Sequence, residues 1–189
     1  MEWLNFINRV RDELVSGNLF DDFRVPIAKE QDLTEVAGIG LRKLYADTFN
    51  LSPNSDELLN HVSFRQGPTD KDKKAYKNAK KDRWVFFHDV FYAPDILIKD
   101  LNNHNNILPV EVKLIKGKKQ SPSQSIATAI GQALIYTTKF PISLVLIGVL
   151  RSAQWGRYQF RTRPNDIENL FYSNLKTAGI KTVIREVGI

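Results

Sequence analysis

The chain has 189 residues, 42% of them hydrophobic and 25% charged, with a formal net charge of +6, a balance that suits one globular domain with its own core and favours a polyanionic partner. It contains no cysteine, which excludes disulfides, thiolate metal sites, iron–sulfur clusters and cysteine nucleophiles, so any metal must sit on oxygen or imidazole. No apolar run approaches the ~18 residues of a membrane span, and Met1-Glu2-Trp3 does not open the basic-then-apolar pattern of a secretory leader, so a cytoplasmic protein without membrane association is expected.

Trp3, Ile7, Val10 and Leu14 recur at helical spacing and predict a first helix ended by Ser16-Gly17. A connector with Phe20, Phe23 and Pro26 leads to Asp32-Leu-Thr-Glu35, which reads as a capping box opening a helix to about Phe49, with Leu33, Ala37, Leu41 and Leu44 as its buried stripe. Ser52-Pro53 predicts a short helix carrying Leu58, Leu59 and Val62, ending near Gly67-Pro68. Residues 1–67 thus read as a helical N-terminal part.

From Thr69 to Arg83 the chain is charged, with Lys71, Lys73, Lys74, Lys77, Lys80, Lys81 and Arg83 against Asp70, Asp72 and Asp82. Two readings stand side by side: a solvated helix or loop, or an arm that contacts phosphates, with Tyr76 available to stack on a base or sugar.

The period then changes to that of strands. Trp84–Phe91 and Asp95–Lys99 are rich in aromatic and β-branched residues, Asp100–Asn106 is polar enough to reverse the chain, and Ile107–Ile115 forms the next strand. Alternation turns Val110 and Val112 one way and Glu111 and Lys113 the other. If the strand carrying Asp95 pairs beside them, two carboxylates and an amine share one surface, the donor set of a hard divalent cation beside a lysine.

Lys116, Lys118 and Lys119 lie in the following loop and, with Lys71, Lys73, Lys74 and Lys77, are candidate nucleic-acid contacts. Ser121-Pro122-Ser123-Gln124 marks a helix start and predicts a helix to about Lys139, with Ile126, Ile130 and Leu134 on one face and Ser125, Ala129, Gln132 and Tyr136 near the opposite one. Ile142–Leu150 is a nearly unbroken apolar run, expected as a strand covered on both faces, and strand–helix–strand implies a crossover. An Arg-rich stretch (Arg151, Arg157, Arg161, Arg163), a helix with Ile167, Leu170, Phe171 and Leu175 stopped by Gly179, and an edge strand Thr182–Val187 complete the chain.

Pro94-Asp95, a gap, Glu111-Val112-Lys113, and a following helix with Gln132 and Tyr136 resemble the PD-(D/E)xK nuclease superfamily, in particular its RecB-like branch. The resemblance covers about residues 84–150, the expected catalytic core. It implies an α/β fold of restriction-endonuclease-like type, a mixed central sheet flanked by helices, and a deoxyribonuclease that hydrolyses phosphodiester bonds with Mg²⁺, Mn²⁺ substituting. Asp95, Glu111 and the Val112 carbonyl would hold the metal, Lys113 would position water and offset transition-state charge, and Gln132 and Tyr136 would line the cleft.

Members of that branch often carry another acid on an upstream helix. Glu35 is the first candidate here and Glu30 the second, although Glu35 has a competing role in the capping box with Asp32. Asp89 is a further acid nearby, and His61, His88 and His104 have no ligand spacing. The partner expected is DNA, and a homodimer would suit double-strand cleavage. The competing readings are a nucleic-acid-binding module without turnover and a site-specific restriction-type endonuclease.

Overall fold

Apolar residues at helical spacing set the first element, α1 (Glu2–Ser16), whose Phe6, Ile7, Val10 and Leu14 are buried. These are coordinates of a computed structural model, which describes residues 2–16, 19, 26–52, 55–116, 122–150 and 173–188. Lys118, Lys119, the Ser121 cap, the connector phenylalanines, the Arg151–Arg163 stretch and the helix expected at Ile167–Phe171 lie outside the described residues.

Helix α2 (Glu30–Phe49) begins earlier than the sequence suggested. Asp32 is not its cap: it stands in the first turn and accepts the N–H groups of Ala28 (2.9 Å) and Lys29 (2.8 Å), satisfying donors that a helix start leaves free. Glu35 therefore completes no capping box. Leu33, Ala37, Leu41 and Leu44 form the buried stripe as expected.

The short helix α3 (Asp56–His61) is capped by Ser55, whose hydroxyl accepts from Leu58 N–H (3.2 Å), rather than by Ser52. It ends in a strand that the sequence did not announce, β1 (Val62–Phe64), so Val62 belongs to the sheet. The charged stretch is helical: α4 (Asp70–Asn78) opens on a Thr69–Asp72 capping box, and α5 (Lys80–Arg83) follows.

The expected strand at Trp84–Phe91 is a hairpin of two, β2 (Val85–Phe87) and β3 (Val90–Tyr92), which stand as a separate two-stranded sheet. His88 and Asp89 occupy the turn, both with positive φ (46° and 60°), which matches the primed turns favoured by tight hairpins.

Then come β4 (Ile96–Lys99), β5 (Ile107–Ile115), α6 (Pro122–Tyr136), β6 (Ser143–Leu150), α7 (Ser173–Thr177) and β7 (Ile180–Val187). The main sheet runs β1-β4-β5-β6-β7. Pairing is antiparallel through β5 and parallel from β5 to β7, so the protein is α/β with a mixed central sheet flanked by helices. The sheet extends beyond residues 84–150 at both edges, since β1 and β7 belong to it.

Strand alternation divides the core. Leu108, Val110, Val112 and Leu114 point to the layer of α1 and α2, while Ile115 meets α6 through Ala129 and Ala133. The close fit of α2 is visible at Gly148, where an added Cβ would lie 2.6 Å from Leu33 Cδ2. Helix α6 turns its small face inward, with Ser125, Ala129, Ala133 and Tyr136 buried, whereas Leu134 is 53% exposed. Small side chains let the helix backbone approach the sheet, and the Ser143 hydroxyl ties it down by donating to the Ala133 carbonyl (3.1 Å). Gly179 ends α7 at φ 77°, as expected of a stop. Among the described residues no helix is long and apolar enough to cross a membrane.

Candidate active site

Strand β4 pairs with β5 only as far as Ile96 opposite Val110. Continuing that register places Asp95 opposite Glu111, and there the two strands part. Asp95 stays with β1, its carbonyl accepting from Arg65 N–H (2.8 Å), and the preceding Pro94 carbonyl accepts from the Tyr76 hydroxyl of α4 (2.6 Å). The result is a fork that leaves the far half of β5 with an open edge.

Main-chain groups on that edge are met by carboxylates. Val112 N–H donates to Asp95 Oδ2 (3.0 Å), and Leu114 N–H reaches Glu30 Oε2 at 3.5 Å. In a strand the N–H and C=O of one residue point to the same side, so the Val112 carbonyl faces the fork as well.

Glu111 is 5% exposed, and its Oε2 accepts from the Tyr136 hydroxyl (2.8 Å), which the small face of α6 carries down to the sheet. Lys113 bridges to Glu30, with Nζ 3.1 Å from Oε2 and 3.3 Å from Oε1. Glu30 is the first residue of α2 and so arrives at the fork from the other layer.

The electrostatics of the two facing acids run against ionisation. Burial pushes Glu111 up to about 8, reinforced by the charge of Asp95 and opposed by the Tyr136 hydrogen bond and Lys113. Burial likewise pushes Asp95 up to about 6, opposed by the Val112 N–H and reinforced by Glu30. At neutral pH the pair therefore retains a proton that two ordinary carboxylates would have lost. The Tyr136 hydroxyl is also pushed up, by burial and by Glu111, and stays a donor.

Asp95, Glu111, the Val112 carbonyl, Lys113 and Tyr136 thus converge on one place. Gln132 lies a turn before Tyr136, partly buried, and hydrogen-bonds to no described residue. Glu35 sits five residues beyond Glu30, about 140° round the helix, on a different face from the acid that holds Lys113. The acid from the upstream helix that reaches the fork is Glu30.

Tyr76 is not free to stack on a base: it is buried, anchors Pro94, and has the Arg83 guanidinium 4.1 Å above its ring. The apolar pattern Ala75, Tyr76, Ala79 was the signal of its burial. Asp89 belongs to the hairpin turn. His61 is buried, stacked on Tyr45 at 5.5 Å, a structural place.

The lysines of α4 and α5 divide. Lys71 pairs with Asp56 and Lys73 with Asp70, while Lys74, Lys77, Lys80 and Lys81 are exposed with no acidic partner among the described residues. Lys116 is exposed just past β5. Among the described residues no group of three or more His, Cys, Asp or Glu side chains is placed to hold a metal ion. No protein-family model matches the chain, and neither the curated proteins nor the solved structures yield a match.

Proposed function

We propose that the protein is a metal-dependent deoxyribonuclease of the PD-(D/E)xK kind, on a restriction-endonuclease-like core, hydrolysing phosphodiester bonds of DNA. The observation that carries this reading is the facing pair Asp95 and Glu111 at a strand fork, both pushed up by burial and mutual charge, with Lys113 beside them. Two like carboxylates held together out of water are only partly offset by Lys113, and a divalent ion is the partner that would displace their retained proton.

The donor set fits Mg²⁺, which keeps several waters and commonly takes only one or two protein carboxylates. Asp95 and Glu111 would hold it, with the Val112 carbonyl on the same edge. When bound, the ion polarises the scissile phosphate and makes water a nucleophile near neutral pH.

The chain's own groups supply the rest. Lys113, fixed by Glu30, presents an ammonium that orients the attacking water and offsets charge gathering on phosphorus. Tyr136 holds one Glu111 oxygen and leaves the other for the metal. Gln132 lines the helix side of the cleft.

Purified protein mixed with supercoiled plasmid and linear single-stranded DNA should cleave in Mg²⁺ or Mn²⁺ and not in EDTA. Glu111→Ala and Lys113→Ala should each lower the rate on the order of 100-fold or more. Variants that cleave like the parent would sink the assignment. Lys74, Lys77, Lys80 and Lys81, exposed and without acidic partners among the described residues, favour a second reading, a DNA-binding module without turnover, for which salt-sensitive binding with no metal-dependent cleavage would speak.

A further inference from the structure

The hairpin of β2 and β3 carries large apolar side chains on both faces and leaves most of them in water. Phe86 and Phe91 are 58% and 59% exposed, Val90 49% and Phe87 39%. By register Phe86 faces Phe91 across the ribbon, with ring centroids 5.0 Å apart, and Trp84 meets Phe91 at 4.7 Å. Three rings therefore run along one face. The root of the ribbon is fixed, because Val85 and Tyr92 pack into the same apolar cluster as Tyr136, the residue that holds Glu111. From Tyr92 the chain takes three residues to reach Asp95.

The surroundings are basic. Helix α5 runs directly into Trp84, and the Lys80 ammonium lies 4.2 Å over the Trp84 ring. Lys77, Lys80 and Lys81 are exposed without acidic partners among the described residues. An apolar protein surface would gain nothing from that charge. A ligand that is flat, apolar in its faces and negative along its backbone matches both halves at once, and unpaired nucleotides are that ligand.

We infer that the Trp84–Phe91 hairpin is a stacking platform for single-stranded nucleic acid, gripping unpaired bases on Phe86 and Phe91 while Lys77, Lys80 and Lys81 hold the phosphates. It rests on the nuclease reading for what the strand is delivered to, the adjoining fork, but capture itself needs no turnover. The preferred DNA is then one with unpaired bases beside the scissile bond.

Binding is measured by fluorescence anisotropy of the full chain in EDTA, with labelled oligo-thymidine and with a duplex of the same length. The inference expects tighter binding of the single strand, lost ~10-fold or more in Phe86→Ser/Phe91→Ser, with duplex affinity and melting temperature nearly unchanged. Phe86→Leu/Phe91→Leu keeps apolar area but removes the rings, and should weaken single-strand binding too. Unchanged single-strand affinity in both variants overturns the inference. A parent dimer that becomes monomeric in the serine variant, with single-strand affinity intact, assigns the ribbon to self-association instead. Cleavage plays no part in these readings, so a protein that binds here yet never cuts DNA overturns the nuclease reading alone.

Discussion

Two carboxylates of this protein are almost equally hidden, Asp72 at 2% exposure and Glu111 at 5%, yet their surroundings push them in opposite directions. Burial drives Asp72 up, but the Thr69 hydroxyl, the Arg42 guanidinium and the Thr69 N–H more than offset it, and the carboxyl ends below its usual range. Arg42 also donates to the Val62 carbonyl (2.8 Å) and lies 4.3 Å over the Phe64 ring, so the pair bolts α2 and α4 to the edge strand. Glu111 is pushed up by burial first and then by Asp95 and Glu30, and among the described residues the Tyr136 hydroxyl and the Lys113 charge offset this only in part. The first acid is complete within the chain. The second, on the reading proposed above, would be completed by a divalent cation, which would be the physical difference between an ion pair that builds a fold and a pair of acids that serves a site.

The comparison breaks first, and most visibly, at Arg42. Arg42→Met leaves the Asp72 charge buried beside only its Thr69 donors, a loss of ~3–5 kcal/mol. For a chain of this length that lowers the melting temperature by about 10 °C or more, readable by circular dichroism. Arg42→Met/Asp72→Asn should recover much of the loss. A single variant as stable as the parent would mean that Asp72 is not held by this pair.

Glu111 should behave in the opposite sense. In the folded chain it titrates near 8 against an ordinary value of 4.5, and Asp95 near 6 against 3.8. The folded state therefore holds protons that the unfolded chain has released, and the stability they contribute is complete below about 4 and lost as pH rises from there through about 8. In EDTA, the parent should lose stability over that window while Glu111→Gln loses less. At pH 8.5 the variant should be the more stable by on the order of 2–4 kcal/mol. Millimolar Mn²⁺ should raise the parent's melting temperature at that pH and leave Glu111→Gln unmoved. A parent whose stability is flat across the window, with or without Mn²⁺, would mean that the two acids carry no such strain.

Much of this was legible from side-chain period. The strand Ile107–Ile115 has the bounds its composition suggests, and alternation alone puts Glu111 and Lys113 on one face, because a strand has only two. What was not legible depended on partners far along the chain. Glu30 joins Lys113 across the layer boundary, and the overlapping pattern at Asp32 and Glu35 hid where α2 begins. Strand β1 follows α3 with no glycine or proline to mark it, and three residues carry too little pattern to reveal a period. In sequence the hairpin resembles one strand, because His88-Asp89 lacks the glycine that usually flags such turns. Tyr76 looked like a surface ring until Pro94 and Arg83 closed around it.

The smallest expected effect lies at the side-chain hydrogen bond that Tyr136 gives Glu111. Tyr136→Phe keeps the ring that fills the floor of α6 and removes only the hydroxyl, so the stability cost should stay near ~1 kcal/mol. Because that hydroxyl holds Glu111 down, its loss should push the carboxyl still higher and make protons compete harder with metal. Mn²⁺ titrations followed by melting temperature should then shift to several-fold higher concentration near pH 7, with the gap narrowing as pH rises past about 8 and the proton leaves of itself. If the gap is the same at every pH, Tyr136 shapes the site without tuning its charge. If there is no gap at all, Tyr136 does no more for Glu111 than a phenylalanine would, and the contrast with Asp72 rests on Asp95 and Glu30 alone.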